Sequence, residues 1–154
     1  LAAGQERWRM VGLAAEAPML YYFAGIQTVA SYYWENAEGW KAESSFFADA
    51  PDGRIAEKIA RERGLTHVCI SLSPELPKLF WYIATGRYSE TEGAQKSLAG
   101  QLAVKGGGQL PGWFRRDEKL SDIGESFYVV QTPRGLVRQK TWAQVFRLEP
   151  EAIP

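Results

Sequence analysis

Residues 18–71 read PMLYYFAGIQTVASYYWENAEGWKAESSFFADAPDGRIAEKIARERGLTHVCIS, and this stretch decides the fold. Pro18 suits the first turn of a helix, because its fixed φ angle matches the helix and its missing N–H has no partner there. Gly25 is a favourable residue for ending that helix. The β-branched and aromatic residues that follow predict a strand over 27–33.

The second half of this stretch supplies a loop, a helix and another strand. Residues 32–40, YYWENAEGW, are rich in aromatic side chains and predict a loop after the strand. Residues 54–63 show the spacing of an amphipathic helix, whose apolar side carries Ile55, Ala56, Ile59 and Ala60. Residues 65–71 are almost continuously apolar, which is typical of a strand covered on both faces in a parallel sheet. The whole stretch therefore predicts a βαβ-type unit.

The remaining chain adds elements to this unit. A short apolar run over 9–14 precedes it, and two helices are predicted after it, over 78–85 and 92–104. The first of these two would pack on the core through Leu79, Phe80, Tyr82 and Ile83. Residues 127–132 predict a strand, and a tight turn joins it to one or two further strands over 136–148. Because strands joined by a tight turn run antiparallel, we expect an α/β fold with a mixed, mainly parallel sheet flanked by helices in Rossmann-like layers, and antiparallel C-terminal strands.

The composition is that of a globular protein and excludes several function classes. The 154 residues are 45% hydrophobic and 23% charged, with a net charge of zero. We expect no nucleic-acid partner, because a protein that neutralises several phosphates needs a basic face. No run of 18 apolar residues is present, so the sequence predicts no membrane-spanning helix. The chain begins at Leu1 rather than Met, and we interpret residues 1–154 as one α/β domain from a longer protein.

The sequence predicts no cofactor and no metal site. Cys69 is the only cysteine, and it lies in the apolar run HVCIS, where a free cysteine usually packs as a small hydrophobic residue. His67 is the only histidine, and it lies about 6.5–7 Å along the same strand face, too far to act as the base of a cysteine nucleophile. The glycine run at 106–108 lacks the flanking residues of a phosphate-binding loop, and we interpret it as a surface loop.

The aromatic loop carries the candidate substrate-binding residues Trp34, Glu35, Asn36 and Trp40. Open α/β sheets bind ligands at the carboxyl ends of their strands, and this loop follows a predicted strand. Trp34 or Trp40 would stack on a sugar ring or a lipid-linked head group. Glu35 and Asn36 would hydrogen-bond to its hydroxyl groups. In the alternative, structural interpretation, Glu35 and Asn36 cap the next helix. Tyr33 and Trp40 then pack on the core.

Two other functions remain open for the same loop. Glu35 and Glu38 lie three residues apart and could share one helical face, which suggests a pair of glycosidase carboxylates. Such carboxylates must face each other across a cleft, whereas carboxylates on adjacent turns usually form a solvated helix start. An independent small enzyme with a site near Glu35, Asn36 and Glu38 is one alternative. A protein-interaction module that uses exposed aromatic side chains is the other.

Several short motifs in the chain resemble those of one family. In order they are PMLYYFAG, TVASYYWENAEG, FFA, AEKIARERGLTHVCIS and LPGWFRRDEKLSDIGESFYVVQ, which together span most of residues 18–131. This order resembles the C-terminal soluble region of bacterial polytopic membrane proteins of the GT-C glycosyltransferase type. Those proteins are similar to dolichyl-phosphate-mannose mannosyltransferases and, more distantly, to oligosaccharyltransferases. The related loop often carries a histidine before the Asn, whereas this chain has Trp34 and Glu35 before Asn36, and it also lacks the oligosaccharyltransferase motif W-W-D-Y-G.

The resemblance implies an accessory function. The catalytic aspartates of that family lie in loops between transmembrane helices, so the resemblance implies a domain that is not catalytic alone. It implies an extracytoplasmic, periplasmic domain that shapes the access of a sugar or lipid-linked substrate to a catalytic centre elsewhere. The implied partners are the membrane-embedded portion of its own chain and a sugar or lipid-linked sugar. The implied parent protein is a glycosyltransferase.

Overall fold

The computed structural model describes residues 8–12, 21–22, 24–30, 36–71, 75–87, 91–104, 107–121, 126–132, 135–141 and 143–149. The strands among these residues are β1 (Arg9–Val11), β2 (Gln27–Thr28), β3 (His67–Ser71), β4 (Phe114–Arg116), β5 (Ser126–Thr132), β6 (Gly135–Thr141) and β7 (Ala143–Leu148). The helices are α1 (Ala37–Phe47), α2 (Arg54–Arg63), α3 (Glu75–Thr85), α4 (Thr91–Lys96) and α5 (Leu98–Leu102).

The main sheet confirms the predicted fold class. Its five strands lie in the order β2-β1-β3-β7-β4. β1 pairs in parallel with both β2 and β3, whereas β7 runs antiparallel to both β3 and β4. All strands of this sheet except β7 therefore point in one direction. Helices pack on the sheet, so the molecule has an α/β fold with a mixed, mainly parallel sheet.

The predicted antiparallel strands near the C-terminus are also confirmed. β5 and β6 form a separate two-stranded sheet that closes with Thr132 opposite Gly135. The intervening residues 133–134 lie outside the described residues. β7 joins the main sheet instead of this hairpin, because its apolar side chains Phe146 and Leu148 are buried in the hydrophobic core.

β3 carries side chains to both faces of the main sheet, as strand alternation requires. Val68 and Ile70 belong to the larger hydrophobic cluster, which also includes side chains from α1, α2, α3 and α5. Cys69 lies in a smaller cluster and is buried, which confirms its interpretation as a packing residue. His67 is also buried and stacks on Trp8, with ring centroids 3.9 Å apart.

The helix predicted over 54–63 is confirmed as α2, and its buried side is the predicted one except at Ile55. Gly64 ends it in a left-handed conformation, with φ +58°. Ala56 and Ala60 are fully buried, whereas Ile55 is 53% exposed and Ile59 is partly buried. The prediction that Ile55 packs on the core is wrong. The two alanines let the helix approach its neighbours closely, and this packing leaves Ile55 pointing away from the core.

Two later helices also differ from the sequence prediction. α3 begins at Glu75 and buries Pro77 and Phe80. The side chains expected to dock beside Phe80 are exposed instead, namely Leu79, Tyr82 and Ile83. The single helix predicted over 92–104 is divided into α4 and α5 at Ser97. Ser97 has an extended backbone, and its Oγ accepts a hydrogen bond from the Gly100 N–H at 3.3 Å, so it starts a new helix.

Candidate functional site

α1 begins within the stretch that the sequence predicted as an aromatic loop. Residues 37–40, expected in the loop, form the first turn of this helix. Asn36 starts it, because its Oδ1 accepts a hydrogen bond from the Gly39 N–H at 3.0 Å. The loop prediction is therefore wrong for these residues. Gly39 and Trp40 have low helix propensity, but the cap at Asn36 and the packing of the helix outweigh it.

Asn36 also joins α1 to the carboxyl end of β2. Its Nδ2 donates a hydrogen bond to the Val29 carbonyl oxygen at 3.2 Å. Gly39 lies against the same two groups, since a Cβ atom there would collide with the Val29 carbonyl oxygen and the Asn36 side-chain oxygen. A residue without a side chain is therefore required where the helix crosses the strand end.

One turn further along α1, Glu43 reaches the ends of both β1 and β2. Its side chain is 1% exposed, and its carboxyl group accepts hydrogen bonds from the backbone N–H groups of Gly12 and Ala30. In a longer parallel ladder the Gly12 N–H would donate to the Val29 carbonyl. Two side chains at α1 bind these backbone groups instead. Asn36 donates to the Val29 carbonyl, and Glu43 accepts from the Gly12 N–H.

Burial raises the pKa of Glu43 from 4.5 to about 7. The two backbone hydrogen bonds lower the pKa, but they offset only part of the effect of burial. Within the described part of the chain, the Oε2 atom of Glu43 has no hydrogen-bond partner.

The structure describes two of the four predicted binding residues. Asn36 and Trp40 are half-buried and lie in the first turn of α1, where the Trp40 N–H donates to the Asn36 carbonyl at 3.1 Å. Trp34 and Glu35 lie outside the described residues. Glu38, which the enzyme alternative includes, is exposed. The structure thus places Asn36 at the carboxyl end of β2 and Trp40 in the first turn of the helix that Asn36 caps, one turn before Glu43.

Glu43 was not predicted as a site residue, although the sequence contains a signal for it. The buried positions of α1 include Gly39, Glu43, Phe46 and Phe47. The last three follow Gly39 by four, seven and eight residues, which places all of them on one face of the helix. Glu43 is the charged member of this buried stripe. Recognising it requires knowing that residues 37–47 form a helix, and the aromatic-loop prediction hid that helix.

Other features of the described residues are less informative about function. Two surface pockets, of about 240 and about 390 Å³, are lined by Arg9 and Arg63 in one case and by Arg115 and Arg147 in the other. Neither pocket contains a predicted binding residue. No group of three or more His, Cys, Asp or Glu side chains in the described ranges could hold a metal ion. None of the helices described has both the length and the hydropathy to cross a lipid bilayer.

Comparison with known proteins gives a match in structure but not in sequence. No protein-family model matches the chain, and neither does any curated protein sequence. Among solved structures, the chain shares its fold with a globular domain of a glycan-transferring enzyme. That structure is the C-terminal globular domain of the oligosaccharyltransferase from Archaeoglobus fulgidus, with a TM-score of 0.54 and 15% sequence identity. The match covers 96% of this chain and 88% of the archaeal one. It establishes a common fold.

Proposed function

We propose that this chain is an accessory domain of a membrane-embedded glycosyltransferase-like protein and is not catalytic alone. The observation that carries the proposal is the fold, shared over 96% of the chain with the C-terminal globular domain of an oligosaccharyltransferase. In this proposal residues 1–154 form one domain of a longer bacterial membrane protein, on its periplasmic side. Its partners are the membrane-embedded portion of that protein and a sugar or lipid-linked sugar.

The proposed role of the domain is to shape the access of the substrate at the carboxyl ends of β1 and β2. β1 lies between β2 and β3 in the sheet, so the chain connections diverge at its carboxyl end. Parallel α/β sheets bind ligands at such a point of divergence. The proposed recognition surface consists of Trp34, Glu35, Asn36 and Trp40. The hydrogen bond of Asn36 to this end of the sheet supports it, as does the place of Trp40 in the helix that Asn36 caps.

The test is glycosyl transfer from a lipid-linked donor by the full-length parent protein. We expect Trp34→Ala and Glu35→Gln to leave the stability of the domain within about 1 kcal/mol of wild type. Turnover should fall about ten-fold, which corresponds to about 1.4 kcal/mol of lost transition-state stabilisation. Lys41→Ala is the matched control, because Lys41 is an exposed side chain next to Trp40. Normal turnover by stable Trp34 and Glu35 variants would contradict the recognition surface.

A further inference from the structure

Three elements of the fold meet at the Glu43 side chain. Glu43 belongs to α1, and the N–H groups that it accepts belong to Gly12, which follows β1, and Ala30, which follows β2. The last hydrogen bond between the two strands joins the Val29 N–H to the Met10 carbonyl at 3.0 Å. The Glu43 carboxyl group therefore connects the strand ends at the point where their own ladder stops.

The backbone at Gly12 has little freedom to adjust. Its φ angle of +98° lies in the left-handed region that favours glycine. A Cβ atom there would collide with the Cys69 carbonyl oxygen, so the end of β1 lies tightly against β3. A change in the charge of Glu43 therefore acts on a tightly packed backbone. The backbone cannot adjust to that change without disturbing its neighbours.

We propose that Glu43 is a proton-linked positioning residue, which holds the carboxyl ends of β1 and β2 against α1 when protonated and loosens them when it ionises. This inference goes beyond the proposed function and depends only on the fold. An ionised carboxylate loses its hydration on burial, and two neutral N–H donors replace only part of it. The protonated group has no such cost. If the carboxyl edge also recognises a substrate, its binding site is better ordered at lower pH.

Among the residues that the structure describes, the charged groups on the surrounding elements do not offset this cost. On α1, Glu38 and Lys41 are exposed, and at its C-terminal side both oxygens of Asp49 accept backbone N–H groups. Arg9 on β1 and Arg63 on α2 are also exposed. The other charged side chains of α2 and α3 form surface pairs, namely Arg54 with Asp52, Lys58 with Glu62, Arg61 with Glu57, and Lys78 with Glu75. The raised pKa of Glu43 follows from its burial, which outweighs its backbone hydrogen bonds.

The test is amide hydrogen exchange of the chain at pH 6 and pH 8, with rates corrected for intrinsic exchange. A carboxyl group whose pKa is 4.5 when solvated and about 7 in the folded protein makes opening about ten-fold more favourable at the higher pH. We therefore expect the protection factors of Gly12 and Ala30 to fall about ten-fold. Glu43→Gln should abolish the fall, because glutamine keeps the shape of the side chain and does not ionise. Glu38→Gln, on the exposed side of α1, should leave it unchanged.

A second measurement does not depend on the folding of any variant. Titration of the Glu43 carboxyl carbon by NMR in the wild-type chain should give a midpoint near 7. A midpoint below about 6 would overturn the proposal. Protection factors at Gly12 and Ala30 that change less than about two-fold between pH 6 and pH 8 would also overturn it. The same holds if these protection factors fall as much in a folded Glu43→Gln variant as in wild type. None of these readouts involves a substrate, so failure here is distinct from failure of the proposed accessory function.

Discussion

The turn around Asp49 and the strand ends around Glu43 each bury one carboxyl group, but they satisfy it to different extents. Asp49 is 6% exposed, and its two oxygens accept the Ala50 and Ala56 N–H groups, each at 2.8 Å. Glu43 is 1% exposed, and its Oε2 has no partner in the ranges that the structure describes. The comparison shows that hydrogen bonding to both oxygens, as well as burial, decides what an internal carboxyl group costs.

The two groups consequently differ in what they do for the fold. Gly53 precedes α2 and has no side chain to cap it. Asp49 supplies the missing cap through its bond to Ala56, the third residue of the helix, and so acts as a structural anchor. Glu43 joins three elements, but the joint depends on a proton. One buried acid stabilises the fold directly, and the other makes a part of the fold respond to pH.

The largest expected effect belongs to Asp49→Ala. The change removes two hydrogen bonds to a charged acceptor and leaves the Ala56 N–H buried without its partner. We expect a loss of about 3 kcal/mol in the free energy of unfolding, measured by denaturant titration at pH 7. The control is Asp52→Ala, since Asp52 is exposed and pairs with Arg54 at 3.1 Å, and it should cost less than about 0.5 kcal/mol. Equal losses in both variants would contradict the anchoring role.

The next effect is the pH dependence that Glu43 contributes to stability. Its pKa is 4.5 when solvated and about 7 in the folded protein, so between these values the folded state binds more protons than the unfolded state. Stability from this group is complete at low pH and is lost as pH rises through 7. Between pH 5 and pH 8 the loss is about 2.5 kcal/mol. The measurement is the difference in urea stability between wild type and Glu43→Gln at both pH values. If the stability difference between wild type and Glu43→Gln is the same at pH 5 and pH 8, Glu43 does not make the fold respond to pH.

The smallest of these effects concerns Asn36, whose side chain makes two hydrogen bonds to the backbone, as that of Asp49 does. Asn36→Ala removes the cap of α1 and the bond to Val29, and should cost about 1 kcal/mol in stability. Glu38→Ala, two residues away on the helix surface, is the control. If Asn36 only caps the helix, turnover of the parent protein per folded molecule stays normal. A lower turnover per folded molecule would show that Asn36 also contacts the substrate.

Elements with local signals at both ends could be predicted from the sequence. α2 lies between Gly53 and Gly64, and its charged and small residues alternate with helical spacing. β3 is a continuous apolar run, which indicates a buried strand in a parallel sheet. The sequence placed Ala56 and Ala60 on the core side of α2, but it could not show that Ile55, the more hydrophobic residue, is exposed beside them. Close helix packing decides that choice, and it depends on neighbours distant in sequence.

The site was less predictable than the fold. Asn36 carries a recognisable cap signal, and the structure shows both of its polar groups in use. Glu43 can be recognised from the helical spacing of its neighbours, but its partners cannot, because they are backbone N–H groups that most residue types can supply. Only the arrangement of β1, β2 and α1 brings Gly12 and Ala30 to the same carboxyl group. Residue type alone does not indicate such an arrangement.

The edges of the two sheets determine where another chain can most easily add a strand to this one. An edge strand presents free N–H and C=O groups, to which another chain can add. The edge strands β2 and β4 comprise only two and three residues, and β4 carries the charges of Arg115 and Arg116. β5 and β6 have seven residues each and, among the described strands, pair only with each other. Aggregation at high protein concentration should therefore start at the hairpin, and a lysine or proline on its outer edge would suppress it.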